Sequence, residues 1–235
     1  MNAAMRYNIQ DLLADFLGIS SRGNPYRKPI MRIMVATIIT SMTATFSYAD
    51  SIIDKFELDK TLTNFHLGFG QTADIPRCTN CPQPRKSHRF ISLIAAYERN
   101  LTGIYAQDST WPGAVFWRME GGLASITDDH ASAESPYLIN FSPFMIQYRL
   151  LPASNHWGVK LLGGLGFAST NWKDYGGQPL NSTSQFLIHL GLGMESYQDN
   201  APFSIDYRLL HISNGGSGDP NIGINAHLLS LSFDF

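Results

Sequence analysis

Eight stretches of this chain alternate apolar and polar side chains over nine or more residues, and beyond residue 49 no run is apolar for long enough to cross a membrane as a helix. A helix needs about 20 consecutive apolar residues for that, whereas a tilted strand needs only about 9–11 residues. The stretches are roughly 62–70, 88–99, 113–124, 137–150, 157–168, 184–197, 203–213 and 225–235. In the fifth, Trp157, Val159, Leu161, Leu165 and Phe167 share one parity, with Lys160, Gly164 and Gly166 on the other. In the sixth, Phe186, Ile188, Leu190, Leu192 and Met194 oppose His189, Gly191, Gly193 and Glu195. The third, seventh and eighth split the same way, ending in Leu229, Leu231, Phe233 and Phe235 against Ser230, Ser232 and Asp234. Period-2 alternation of this length is the signature of strands with two unlike faces.

Alternation alone admits two barrels. A soluble, lipocalin-like binder turns its apolar face inward; a transmembrane barrel turns it outward. The polar face decides between them. It carries Gly, Ser and charges of both signs, Arg118, Lys160 and Arg208 against Glu120, Glu195 and Asp206, a set suited to pairing in a narrow interior. A solvent-facing surface needs more charge, yet only 15% of the 235 residues are charged, against about 25% in ordinary soluble domains. The expected fold is therefore an all-β, eight-stranded antiparallel transmembrane barrel with a side-chain-filled interior and no pore. The net charge of −2 excludes a basic nucleic-acid binder.

The N-terminal region reads as a leader. Arg27, Lys28 and Arg32 precede a short apolar stretch that ends at Ser47-Tyr48-Ala49 before Asp50, the arrangement of a secretory signal peptide. The reading is a leader and signal peptide over 1–49, with translation starting at Met31 and cleavage after Ala49, followed by the barrel over 50–235. Export makes the one cysteine pair, Cys78 and Cys81 in a Pro-rich segment, a disulfide that stiffens a loop; with His88 alone nearby the loop lacks the ligands for a metal.

With the N-terminus in the periplasm, the long connections at 70–87, 125–136, 169–183 and 214–224 face outward, and those at 151–156 and 198–202 are periplasmic turns. The 100–112 connection is longer than this plan expects.

Motifs of generic hydrolases are absent: there is no GxSxG, HExxH or phosphate loop. His66 and His189 fall on the inward parity and read as members of the interior polar network; His88, His130, His156 and His227 lie near strand ends or in loops. His211 and Ser213 differ. They share the parity of Phe203, Ile205, Tyr207 and Leu209, the lipid-facing series, at the outer end of the seventh strand. Two residues apart, they lie on one face about 6–7 Å from each other. Polar groups facing lipid are costly where no water reaches them, and a His–Ser pair supplies a base and a nucleophile for acyl transfer. Spacing alone leaves open that both simply cap a strand.

The stretch His211-Ile-Ser213-Asn214-Gly-Gly-Ser-Gly-Asp-Pro220-Asn221-Ile-Gly223-Ile-Asn225 resembles the C-terminal motif of the lipid A 3-O-deacylase family, eight-stranded outer-membrane barrels with a lipid-facing Ser-His-Glu triad. The resemblance implies a serine esterase of the bacterial outer membrane that removes the 3-position acyl chain from lipid A, without metal or cofactor. Lipid A or lipopolysaccharide in the outer leaflet would be its partner; nucleic acid would not, and a homodimer is compatible. Carried over by position, Ser213 would be the nucleophile and His211 the base. Asn214, Gly216 and Asn221 would shape the oxyanion and substrate site. The third position, acidic in the family, is Asn225 here. As a strand-eight neighbour of outward parity, its side-chain carbonyl can accept the Nδ1–H of His211 and fix the tautomer. The rival reading is a non-catalytic barrel that binds, or is anchored in, lipopolysaccharide.

Overall fold

Alternating sequence becomes a closed sheet because a membrane admits no unpaired strand edge. In the computed structural model, eight long strands pair antiparallel in chain order, and the first closes on the last. The structure describes residues 52–73, 87–127, 136–151, 157–172, 174–175, 178–180, 182–197, 203–219, 221 and 223–234. The expected leader over 1–49, with Met31 and Ala49, and Cys78, Cys81 and Phe235 lie outside the described residues. The strands are β1 Thr61–Ala73, β2 Arg89–Asn100, β3 Gly113–Ile126, β4 Tyr137–Leu150, β5 Trp157–Thr170, β6 Ser184–Ser196, β7 Phe203–Ser213 and β8 Ile224–Asp234. Each alternating stretch of the sequence lies on one of them; β1 runs three residues further than its pattern. A one-turn helix, α1 Ile52–Lys55, precedes β1, and a two-residue hairpin, Asp174–Tyr175 with Gln178–Pro179, stands between β5 and β6.

The apolar parity faces out. Leu165, Phe167, Phe186, Ile188, Leu190, Leu192 and Leu229 are about half exposed, as a lipid-facing belt must be. The polar parity is buried, and it holds four carboxylates, Glu98, Glu120, Glu195 and Asp206, against four cations, Arg118, Arg149, Lys160 and Arg208. Arg118 bridges Glu98 and Glu120, Arg149 bridges Glu98 and Glu195, Arg208 grips Glu120 at 2.9 Å, and Lys160 meets Asp206 at 3.0 Å. Equal numbers matter because an unpaired buried charge costs several kcal/mol, by about 3–5 when one partner is removed. His66 and His189 join this network as their parity predicts, with His66 Nε2 2.7 Å from Asn64 Oδ1 and His189 Nε2 2.8 Å from Ser142 Oγ.

Below this layer Phe56, Leu62, Phe116 and Tyr197 close the periplasmic end, where Lys55 reaches Asp234 at 2.7 Å and Glu195 at 3.4 Å. Burial disfavours the Lys55 charge, but the two carboxylates outweigh it and raise its pKa above the ordinary lysine value. The long 100–112 connection also has a physical account. Asn100 Oδ1 accepts from the N–H groups of Thr102 and Gly103, and Tyr105 pairs with Gly113. The segment thus folds back over the β2–β3 hairpin.

Rows of cross-strand partners run obliquely round the wall. From Arg89 on β2 the row passes through Gln71, His227, Leu209, Leu190, Gly163, Ile146 and Trp117 and returns to β2 at Arg99. The sheet therefore closes with a shear of ten residues, and each row descends from the outer to the periplasmic end. Eight strands with that shear are tilted by about 40°.

Candidate active site

The seventh and eighth strands supply the site because their register places polar residues opposite one another. His211 and Asn225 are direct cross-strand partners, on the lipid-facing side. The His211 Nδ1 and Asn225 Oδ1 atoms are 3.0 Å apart. A carbonyl oxygen only accepts, so Nδ1 carries the proton and Nε2 is left as the basic nitrogen. Asn225 is 8% exposed, and burial holds its amide in place. Ser213, the last residue of β7, shares the face of His211 at the outer end and pairs across to Phe186 on β6. The structure thus brings His211 and Asn225 into contact and sets Ser213 one strand repeat, about 7 Å, above His211.

The loop after Ser213 is tied by its asparagines. The backbone N–H of Asn214 donates to Asn221 Oδ1 at 3.1 Å, Asn214 Nδ2 donates to Gly218 O at 3.0 Å, and the N–H of Gly216 donates to Asn214 Oδ1 at 2.9 Å. Gly215 and Gly216 turn the chain at φ 62° and 83°, in the left-handed region that favours glycine. Space forbids a side chain at Gly215 as well: a Cβ there would meet the Phe186 ring at 2.7 Å. Asn214, Gly216 and Asn221 therefore form one hydrogen-bonded unit beside the serine. Within it the Gly216 N–H is engaged by Asn214, while the exposed Asn221 is fixed through its side-chain oxygen.

One polar pair was not legible in the sequence. His227, assigned only to a strand end, faces lipid two residues below Asn225, and its Nδ1 hydrogen-bonds the Tyr207 hydroxyl. The two rings stack at 5.9 Å. The signal was present, since His227 has the parity of Asn225 and Leu229, but the diagonal contact with Tyr207 depends on register.

The barrel interior has a separate concavity in its outer half, with walls that include Phe90, Ile94, Leu187, Leu210, Ala226 and Leu228. It belongs to the opposite face of the sheet: Leu210, Ile212 and Ala226 alternate with His211, Ser213 and Asn225 along the same strands. His211, Ser213 and Asn225 face the membrane rather than this space. Among the described residues no group of His, Cys, Asp and Glu could hold a metal ion.

The family described as lipid A 3-O-deacylase (PagL) matches residues 94–234, more than half of the chain and all of the site. Among solved structures, the outer-membrane enzyme PagL is 20% identical with a TM-score of 0.53, covering 72% of this chain and 98% of that one. Neisserial surface protein A is 12% identical with a TM-score of 0.46, covering 74% and 95%. The attachment invasion locus protein Ail of Yersinia pestis is 12% identical with a TM-score of 0.41, covering 76% and 100%. No curated protein sequence matches the chain.

Proposed function

The chain belongs to the lipid A 3-O-deacylase family and is an enzyme of the bacterial outer membrane, and from that premise we propose that it cleaves the 3-O-linked acyl chain of lipid A as a serine esterase. Ser213 is the nucleophile, His211 the general base and Asn225 the residue that orients it. The observation that carries the reading is the 3.0 Å contact between His211 Nδ1 and Asn225 Oδ1, on the lipid-facing side and beside a serine of the same face.

The steps follow from that tautomer. Nε2 of His211 takes the Ser213 Oγ proton as Oγ attacks the ester carbonyl, and the carbonyl oxygen becomes an oxyanion. The side chains of Asn221 and Asn214, which still have N–H groups to donate, are assigned to receive it. Collapse breaks the bond to the sugar 3-oxygen, which leaves with the proton from His211. Water then enters with His211 again as base, and the acyl chain departs as a fatty acid. Asn225 keeps the tautomer through both halves but lacks the negative charge that would stabilise the imidazolium, so the reaction runs more slowly than with a carboxylate there. Export through a signal peptide cleaved after Ala49 belongs to the same proposal.

The experiment is mass spectrometry of lipid A from a host without such an enzyme, expressing either the wild-type chain or Ser213→Ala. The expected result is loss of one ester-linked acyl chain with the wild type only. An unchanged spectrum with a folded wild-type barrel in the outer membrane would favour lipopolysaccharide binding without catalysis.

A further inference from the structure

Arg89 opens β2 at its outer end with its side chain exposed on the lipid-facing side, and among the described residues no carboxylate pairs with it. The other described arginines are neutralised. Arg118, Arg149 and Arg208 are neutralised inside the barrel, and Arg99, at the periplasmic end of the same strand, is held by Asp59 at 2.8 Å. A cation on this face costs free energy unless an anion meets it at the membrane surface.

The shear of the barrel fixes where that anion would be. From Leu209 the row climbs through His227 and Gln71 to Arg89. At a tilt of about 40° each strand step rises about 3 Å, so Arg89 stands about 9 Å above Leu209. Ser213 is four residues along β7 from Leu209, about 10 Å higher by the same geometry. Arg89 and Ser213 thus occupy the same depth, about 20 Å apart along the wall, and the long arginine side chain shortens that gap. The rim between them is polar, with Asn225, His227 and Gln71. On the other side of Ser213 the wall is apolar, with Phe186 and Ile188 on β6 and Phe167 and Leu165 on β5.

We propose that Arg89 binds a phosphate of the same lipid A molecule whose ester is presented to Ser213. The phosphorylated diglucosamine then lies along the β8–β1–β2 rim, and the scissile chain descends over β5 and β6. This assignment rests on the lipid A reading above. Charge selects the phosphate, equal depth lets one rigid headgroup touch both residues, and the polar rim between them suits its hydroxyl groups.

Binding separates the two readings. Bisphosphorylated lipid A and its dephosphorylated form are titrated calorimetrically into the folded barrel in zwitterionic micelles. Every protein carries Ser213→Ala so that the lipid stays intact, with Arg89 retained or changed to Gln or Lys. Arg89→Gln is expected to weaken binding of the phosphorylated lipid about tenfold, the size of one charge-assisted contact. Arg89→Lys should retain most of the affinity, the dephosphorylated lipid should bind all three alike, and added salt should narrow the difference. Unchanged affinity in Arg89→Gln, or an equal loss for both lipids, overturns the assignment. So does displacement by phosphatidylglycerol at equal phosphate, which makes Arg89 a reader of any lipid phosphate. Deacylation by the Ser213-intact barrel is scored separately: Arg89-dependent binding without hydrolysis removes the esterase and leaves the phosphate site standing.

Discussion

The wall of β4, β5 and β6 and the wall of β7, β8, β1 and β2 are built from the same alternation but end differently. On the first, Ile139, Phe141, Phe167, Phe186 and Ile188 carry the apolar face up to the last outward pair of β5 and β6, Ser169 and Ser184. On the second, the outward positions turn polar well below the rim, through His227, His211, Gln71, Asn225, Ser213 and Arg89. A barrel that only had to sit in lipid would match the first wall all round, because a polar group facing hydrocarbon costs free energy. On the proposed reading the difference marks where a substrate with a polar head and an apolar tail meets the protein, and Ser213 sits at the seam, paired with Phe186 on one side and followed by the asparagine-tied loop on the other.

The largest effect should come from the seam itself. Ser213→Ala and His211→Ala should each lower deacylation in detergent micelles by about 10³-fold or more, as loss of a nucleophile or its base does elsewhere, with heat-modifiable gel mobility showing that the barrel still folds. Their double mutant should lose little more than either alone, because residues acting as one unit are not additive. Next comes Asn225. Removing the orienting amide in Asn225→Ala should cost about 10–100-fold, by analogy with the partners that orient metal-bound histidines, whereas Asn225→Glu should keep or raise the rate by stabilising the imidazolium. Equal rates for wild type, Ala and Glu would take Asn225 out of the site.

The apolar wall is sharpened by Ile188→Ser, opposite His211. It should raise KM for lipid A about tenfold while kcat changes little, the size expected from losing much of one buried aliphatic contact. A fall in kcat without a change in KM would place the chain elsewhere. The smallest effect belongs to Tyr207→Phe. It removes one hydrogen bond to His227 below the reacting atoms, worth about 1 kcal/mol, and should lower resistance to chemical denaturation slightly while deacylation stays within about twofold of wild type.

Strand positions were legible because alternation is local. Their faces were legible because Arg118, Lys160 and Glu195 share a parity that only an interior of paired charges explains. The contact of Asn225 with His211 followed from a hairpin between neighbouring strands. What needed three dimensions was register summed over the whole barrel. The equal depth of Arg89 and Ser213 arises from the shear of ten, which no single strand reveals, and the Tyr207–His227 pair from the β7–β8 register, diagonal rather than directly opposite. The role of Asn214 was also hidden, since spacing placed it beside the serine without showing that its oxygen takes the Gly216 N–H.

The proposed nucleophile is tested most directly by reacting the folded barrel with a long-chain alkyl fluorophosphonate and mapping the adduct by peptide mass spectrometry. The account predicts modification of Ser213, abolished in Ser213→Ala and strongly slowed in His211→Ala. An adduct on another residue, or no adduct on a barrel that still deacylates lipid A, would contradict it.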